Sequence, residues 1–198
     1  MIAAIVLAAG LARRMGRPKL LLDLQGAPVL RRTVERVLAA GLDETVVVTG
    51  PEAAPLRAAL AGLPVRWAVN PAPAAGQAGS IVAGVVALGP RVEAAVLALG
   101  DQPTVDPAVI RALVAAWREG GASVVAPAYR DGQGPPVLFA RAVFPELRAL
   151  TGDAGARAVV ARDRARRRLV PVDGPMPPDL DTEEDYARLR AADLRGVR

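Results

Sequence analysis

Lys19 is the only lysine in a chain of 198 residues that carries 24 arginines. A composition that has exchanged lysine for arginine almost everywhere makes the surviving lysine informative. Lysine differs from arginine where a compact, strongly hydrated point charge must reach one oxygen and a planar fork does not fit. Lys19 lies in the stretch LAAGLARRMGRPKLLL, with Gly10, Arg13, Arg14 and Gly16 around it. An apolar run over residues 2–9 leads into this loop. A buried strand that ends in a glycine-bearing, cationic loop is where an α/β sheet holds a phosphate. The glycine spacing matches neither the dinucleotide fingerprint nor the lysine-bearing phosphate loop of common ATPases.

Two further residues fall where such a sheet would present them to a ligand. Asp101 follows the apolar run AAVLALG directly, and Asn70, the sole asparagine, follows another. In open α/β sheets ligands bind beyond the carboxyl ends of the parallel strands. A carboxylate beside a cationic phosphate loop is the expected partner of magnesium, which binds one or two carboxylates plus substrate phosphates. The acidic run Asp179-Leu180-Asp181-Thr182, continued by Glu183, Glu184 and Asp185, reads as a helix start. Thr182 or Asp181 could cap that helix while an aspartate approaches the metal.

The chain has no histidine and no cysteine. That excludes a Ser-His-Asp arrangement, a thiolate nucleophile, disulfides and the usual zinc ligands, and it fits the cytoplasm. Any metal should be a hard cation held by oxygens. Phosphoryl-type chemistry needs positioning and charge neutralisation more than covalent help. If the attacking group is itself a phosphate, it is largely ionised at neutral pH, its second pKa being about 6, and needs no histidine base. The residue inventory therefore favours nucleotidyl transfer to a phosphate over transfer to a hydroxyl.

Positioning these groups calls for one α/β domain over residues 1–198. Short apolar runs alternate with helical patterns, the signature of a mostly parallel sheet with helices on both faces. Strands are expected at 2–7, 45–49, 65–69, 94–99, 123–126, 137–140 and 169–172. Helices are expected at 28–40 and 52–60, after a cap at Ser80, after Asp106-Pro107, at 142–150 and 154–162, and after Thr182. Residues 70–79 are rich in Pro and Gly and read as a loop. The net charge of +5 comes with scattered arginines and 20 acids. The run RDRARRR reads as a solvated face, and with aromatics at 3% and both Trp expected in the core, nucleic acid is not an expected partner. No run is long enough to span a membrane.

The ordered motifs resemble the nucleotidyltransferases that make molybdenum cofactor dinucleotides. The resemblance starts at LAAGLARRMGRPKLLL and continues through Asn70 with GQAGSIVAG, LGDQP and GPPVLFARAVFPELRALTGDAGAR to DLDTEEDY. The opening motif is shared with many sugar-nucleotide nucleotidyltransferases, whereas the LGDQP, GDAGAR and DLDTEEDY combination is far more specific. It implies a Rossmann-like, doubly wound, mostly parallel mixed sheet and magnesium-dependent transfer from an NTP to the phosphate of molybdopterin, releasing pyrophosphate. Carried over residue by residue, Leu7, Ala8, Ala9 and Gly10 would hold the base and sugar side, and Asn70 and Ser80 would also meet the nucleotide. Lys19 and Arg14 would be catalytic, binding the triphosphate and steadying its developing charge. Asp101 would bind nucleotide and metal, with Asp181 as second metal ligand. Asp153, Arg157 and Asp179 would face the acceptor.

Ala9 and Gln102 resemble the cytidylyl branch, which implies CTP. A molybdoenzyme or its chaperone would receive the product. The segment GQGPPVLF departs from the family, which often has histidine where this chain has Pro135 and an arginine near Gln133. The alternatives are guanylyl or other nucleotidyl transfer to a different phosphorylated small molecule, and a non-catalytic cofactor carrier of the same fold.

Overall fold

The computed structural model describes residues 1–10, 15–162 and 164–192. Its centre is β1 (Ile2–Leu7), in which every residue is buried. Ile2, Ala4 and Val6 enter one apolar cluster, while Ala3, Ile5 and Leu7 enter another. Successive strand residues point to opposite faces, so a strand covered on both sides must be apolar throughout. That is why 2–7 reads as a continuous run rather than an alternating one.

Around it the chain forms β2 (Glu44–Thr49), β3 (Arg66–Val69), β4 (Ala94–Leu99), β5 (Val124–Ala128), β6 (Val137–Ala140) and β7 (Arg167–Pro171). They build one seven-stranded sheet in the order β3-β2-β1-β4-β6-β5-β7. β1 pairs in parallel with β2 and β4, and β5 pairs in parallel with β7. β6 runs antiparallel to both its neighbours. The sheet is thus mixed and mostly parallel, as expected. Because β6 is reversed, the 129–136 connection and the start of β6 lie on the same edge as the carboxyl ends of β1 and β4.

Helices α1 (Val29–Leu38), α2 (Ala54–Ala59) and α4 (Pro107–Arg118) and helices α3 (Gln77–Ala87), α5 (Phe144–Arg148) and α6 (Ala156–Arg162) alternate with the strands, and α7 (Glu183–Ala191) follows the last. Leu30, Val34, Ile110 and Leu113 cover one face of the sheet; Ile81, Val85, Phe144, Val159 and Val160 cover the other. Asp106 caps α4, its carboxylate accepting from the Ala108 N–H at 2.7 Å.

Several boundaries differ from expectation. Helix α3 begins at Gln77, three residues before the expected cap Ser80, so the irregular loop is shorter. A helix expected over 142–150 divides into a 3-10 turn at Arg141–Val143 and α5. β7 starts two residues early because its register with β5 already pairs Arg167 with Val124. The basic run is spent on pairing: Arg162 and Arg166 reach Glu146, and Arg168 reaches Glu119. Trp67 and Trp117 sit at the margin of the core rather than inside it, and the Arg57 guanidinium lies 4.7 Å from the Trp67 ring centroid.

α3 lies close against the sheet. A Cβ on Gly84 would fall 2.5 Å from Ile5 Cγ2 and 3.1 Å from Val48 Cγ2. Gly84→Ala gains about 1 kcal/mol of helix propensity, but overpacking a filled core costs roughly 1–3 kcal/mol, and β-branched Ile5 cannot rotate aside. A net destabilisation of up to about 2 kcal/mol is expected, checked by urea unfolding.

Candidate active site

At the carboxyl edge of β1 and β4 the sheet opens into a cleft of about 380 Å³. Lys19 enters it from a 3-10 turn, Lys19–Leu21, whose Leu20 is buried in the core. Its ammonium donates to Asp101 Oδ2 at 2.6 Å and to Asp181 Oδ1 at 2.9 Å. The three side chains come from three distant parts of the chain, and each is held by its own local structure. Asp101 turns off the end of β4 just after Gly100, whose N–H donates to Leu7 O and whose carbonyl accepts from the Thr33 hydroxyl. A Cβ on Gly100 would sit 2.8 Å from Leu7 O, so the two strand ends approach too closely for any side chain there. Leu180 N donates to Asp101 O at 3.1 Å, which draws the Asp181 segment onto the same turn.

Helix α7 fixes the other side. Thr182 caps it, with Asp185 closing a reciprocal capping box. Asp185 is pulled down to about 2 by hydrogen bonds from Thr182 and Arg188, against a smaller opposing effect of burial. Thr182 is therefore the cap, and Asp181 is left to face the cleft. The helix also grips the loop that carries Lys19: Arg17 pairs with Glu183, Tyr186 donates to Asp23 O, and Gln25 donates to Ala192 O. Leu24, Val29, Leu180 and Leu189 form a separate apolar cluster under these contacts.

The electrostatics follow from this geometry. Burial alone would lower the Lys19 pKa, but Asp101 and Asp181 together outweigh it and hold the ammonium above the usual lysine value. Asp179 is raised, first by burial and then by the neighbouring Asp101 carboxylate. Gln102 is 1% exposed and donates to Asp179 Oδ1 at 2.9 Å and Pro177 O at 3.0 Å.

A second cavity of about 340 Å³ adjoins the cleft and shares Gln77 and Leu99 with it. Leu97, Ala126, Val137 and Val160 line it, with Arg157, Arg167, Gln102 and Asp179 among its polar groups. The two cavities meet where the loop before α6 docks on the start of α3. Ala78 N donates to Gly152 O at 3.1 Å. Gly76, at φ +115°, could carry no Cβ, which would lie 2.2 Å from Gly152 O.

The nominated residues are distributed as follows. Leu7, Ala9, Gly10, Lys19, Ser80, Asp101, Asp153 and Asp181 all line the cleft. Asp153, expected to face the acceptor, lines the cleft rather than the second cavity. Arg157 and Asp179 line the second cavity. Ala8 points into the opposite core. Asn70 is 2% exposed, donates to Ser80 Oγ at 3.0 Å and accepts from Ala72 N at 3.0 Å, so it anchors the start of α3 from behind the cleft wall. Ser80 lies in the second turn of α3 and is not its cap. Arg14 lies outside the described residues. Gln77, in contact with both cavities, was not nominated; its signal is its position directly after the glycine that opens α3.

Among the described residues no three His, Cys, Asp or Glu side chains gather as a protein-only metal site. Asp101 and Asp181 do place oxygens around one shared cation, the Lys19 ammonium. Two carboxylates completed by substrate phosphates suit a hard divalent ion such as magnesium. No helix of the described residues is long and apolar enough to cross a membrane.

Residues 4–168 match the family model of the MobA-like NTP transferase domain. The purine catabolism protein PucB of Bacillus subtilis (strain 168) is 32% identical over 200 residues, covering 95% of each chain. A protein of Synechococcus elongatus named "Probable molybdenum cofactor guanylyltransferase" is 41% identical over 71 residues, 36% of this chain and 35% of that one. Among solved structures, the complex of Rv0371C of Mycobacterium tuberculosis H37Rv with manganese superposes with a TM-score of 0.85 at 35% identity, covering 97% of this chain and 99% of that one. A nucleotidyl transferase from Methanothermobacter thermautotroptrophicus, Mth528, gives a TM-score of 0.80 at 31% identity, covering 96% of each.

Proposed function

Since the chain belongs to the MobA-like NTP transferase family and is a nucleotidyltransferase, we propose that residues 1–198 act as one domain that transfers a cytidylyl group from CTP to the phosphate of molybdopterin or the molybdenum cofactor. The observation that carries this reading is the junction of Lys19, Asp101 and Asp181 at the mouth of a nucleotide-sized cleft, next to a second, more apolar cavity. Donor and acceptor would lie in the two cavities and meet beside Asp101.

The Lys19 ammonium binds the triphosphate and offsets the charge that builds on the α-phosphate and the departing pyrophosphate. An oxygen of the acceptor phosphate forms a bond to the α-phosphorus while the bond from that phosphorus to the bridging oxygen breaks. Pyrophosphate leaves with the electron pair, and no proton moves, because the attacking phosphate is already ionised. Asp101 and Asp181 would hold the divalent cation, magnesium in this reading, which supplies charge neutralisation at the phosphates when bound. The manganese in the Rv0371C structure supports a divalent requirement. Arg157 and Arg167, on the rim of the second cavity, suit an anionic acceptor.

The resemblance of Ala9, on the cleft wall, and of Gln102 to the cytidylyl branch is what favours CTP as donor. GTP is the second reading, favoured by the name of the Synechococcus relative. Incubation with each of the four NTPs, magnesium and molybdopterin should release pyrophosphate with CTP. Release only with GTP moves the assignment to guanylyl transfer, and release with none overturns it.

A further inference from the structure

We propose that Gln77 contacts both substrates, its side-chain amide aligning the acceptor phosphate with the nucleotide's α-phosphate, and that Gly155 is glycine to give that amide room. The inference rests on the two-cavity reading above and adds a residue which that reading does not use. Group transfer needs both reactants at one place, and among the described residues the two cavities share Gln77 and Leu99 alone. Leu99 is apolar. Lys19 lines the cleft only, whereas Arg157 and Arg167 line the second cavity only. Each of those cations can hold one reactant; Gln77 is the polar side chain within reach of both.

The backbone of Gln77 is fixed and its amide is unspent. Gln77 opens α3 directly after Gly76, and Ile81 and Val85 hold that helix on the sheet. One residue on, Ala78 N is tied to Gly152 O. The Gln77 side chain is exposed, and no described residue takes a hydrogen bond from its amide or gives one to it. Its carbonyl end lies over Gly155, where a Cβ would meet Oε1 at 2.6 Å and Cδ at 3.8 Å. The NH2 end lies further from that point and is turned away from the 152–155 loop. Gly155 lines the second cavity and has no positive φ, so its backbone does not call for glycine. Space for the Gln77 amide is what the missing side chain provides. A primary amide carries two N–H donors, one for an oxygen of each phosphate. Holding two reactants in line removes orientational freedom that the transition state would otherwise have to give up.

Wild type, Gln77→Ala, Gly155→Ala and the double variant, assayed with molybdopterin and whichever NTP supports pyrophosphate release, test this. Gln77→Ala should lower kcat/KM for the acceptor about 10- to 100-fold, as expected for a lost hydrogen bond to a charged group. Its affinity for the α,β-methylene analogue of that NTP should fall by a smaller factor, because Lys19 still holds the triphosphate. The unfolding midpoint should not drop, alanine being the better helix former. Gly155→Ala should lower kcat/KM about tenfold at an unchanged midpoint, since its methyl meets only the end of a flexible side chain. In the Gln77→Ala background the same methyl should cost nothing further. Gln77→Glu keeps the shape, loses the donors and repels both phosphates, so it should be slower than Gln77→Ala even though an acid suits the first turn of a helix. Wild-type kcat/KM in Gln77→Ala overturns the proposal, as does a Gln77→Glu protein no slower than Gln77→Ala. A Gly155→Ala loss that is equal with and without Gln77 overturns the pairing of the two residues. If Gly155→Ala fails to fold, Gln77→Ala and Gln77→Glu decide alone. A wild type inactive with every NTP overturns the reading beneath this inference and the inference with it, whereas an active wild type matched by Gln77→Ala overturns the inference only.

Discussion

Lys19→Ala is expected to lower turnover about 10²–10³-fold while far-UV circular dichroism and the unfolding midpoint stay close to wild type. The fold should survive because the core contact of this turn is made by Leu20, while the Lys19 ammonium sits at the cleft. The loss should fall mainly on kcat, since charge builds on the α-phosphate and the leaving group in the transition state. Some increase in KM for the nucleotide should accompany it. Lys19→Arg should not restore the rate, because a planar guanidinium cannot replace a point charge that two carboxylates hold at 2.6 and 2.9 Å. Steady-state kinetics at saturating magnesium read both variants. Unchanged kcat in Lys19→Ala would remove the lysine from the chemistry.

Gly76→Ala should be strongly destabilising, costing roughly 3 kcal/mol. Two independent reasons add. Gly76 has φ +115° and ψ 177°, a region open essentially to glycine alone. Its Cβ would also lie 2.2 Å from Gly152 O and 2.7 Å from Asp153 N, which are backbone atoms and cannot rotate away. The chain can relieve the clash only by lifting the 152–155 loop off α3, breaking the Ala78 N to Gly152 O bond. That shift withdraws Asp153 from the cleft and moves the start of α6, with Arg157, in the second cavity. A displacement of about 1 Å at a reacting pair can cost on the order of 10²-fold in rate. Both a lower midpoint in urea and a fall in kcat/KM are therefore expected. A variant as stable as wild type would show that the loop is not docked as described.

Much of the fold is legible in the residues because its rules are local or periodic. The unbroken apolar runs at 2–7 and 94–99 and the β-branched run at 45–49 read as strands covered on both faces, and they lie side by side within the sheet. Lys19 stood out by composition, Asp101 by following a buried strand, and Thr182 with Asp185 by capping chemistry. What could not be read depends on long-range docking. Ser80 looked like a cap because the groups that open α3 are Gly76, in a backbone conformation no propensity encodes, and the Gly152 carbonyl from 74 residues further along the chain. Asn70 looked like a ligand-facing residue because strand ends point to the cleft; the structure turns it inward to Ser80. The grip of α7 on the Lys19 loop, through Arg17, Tyr186 and Gln25, has no sequence signature, since each partner is an ordinary surface residue until the C-terminus folds back.

The single lysine also gives this molecule a built-in reporter. Amine-reactive reagents acylate an uncharged, accessible amine, and only one side chain in 198 residues offers one. That amine is kept protonated and covered by two carboxylates in the free cleft. Acylation at this position, separated from acylation of the Met1 α-amine by peptide mapping, therefore measures the state of the cleft directly. No engineered probe is needed to follow whether the two aspartates still cover it.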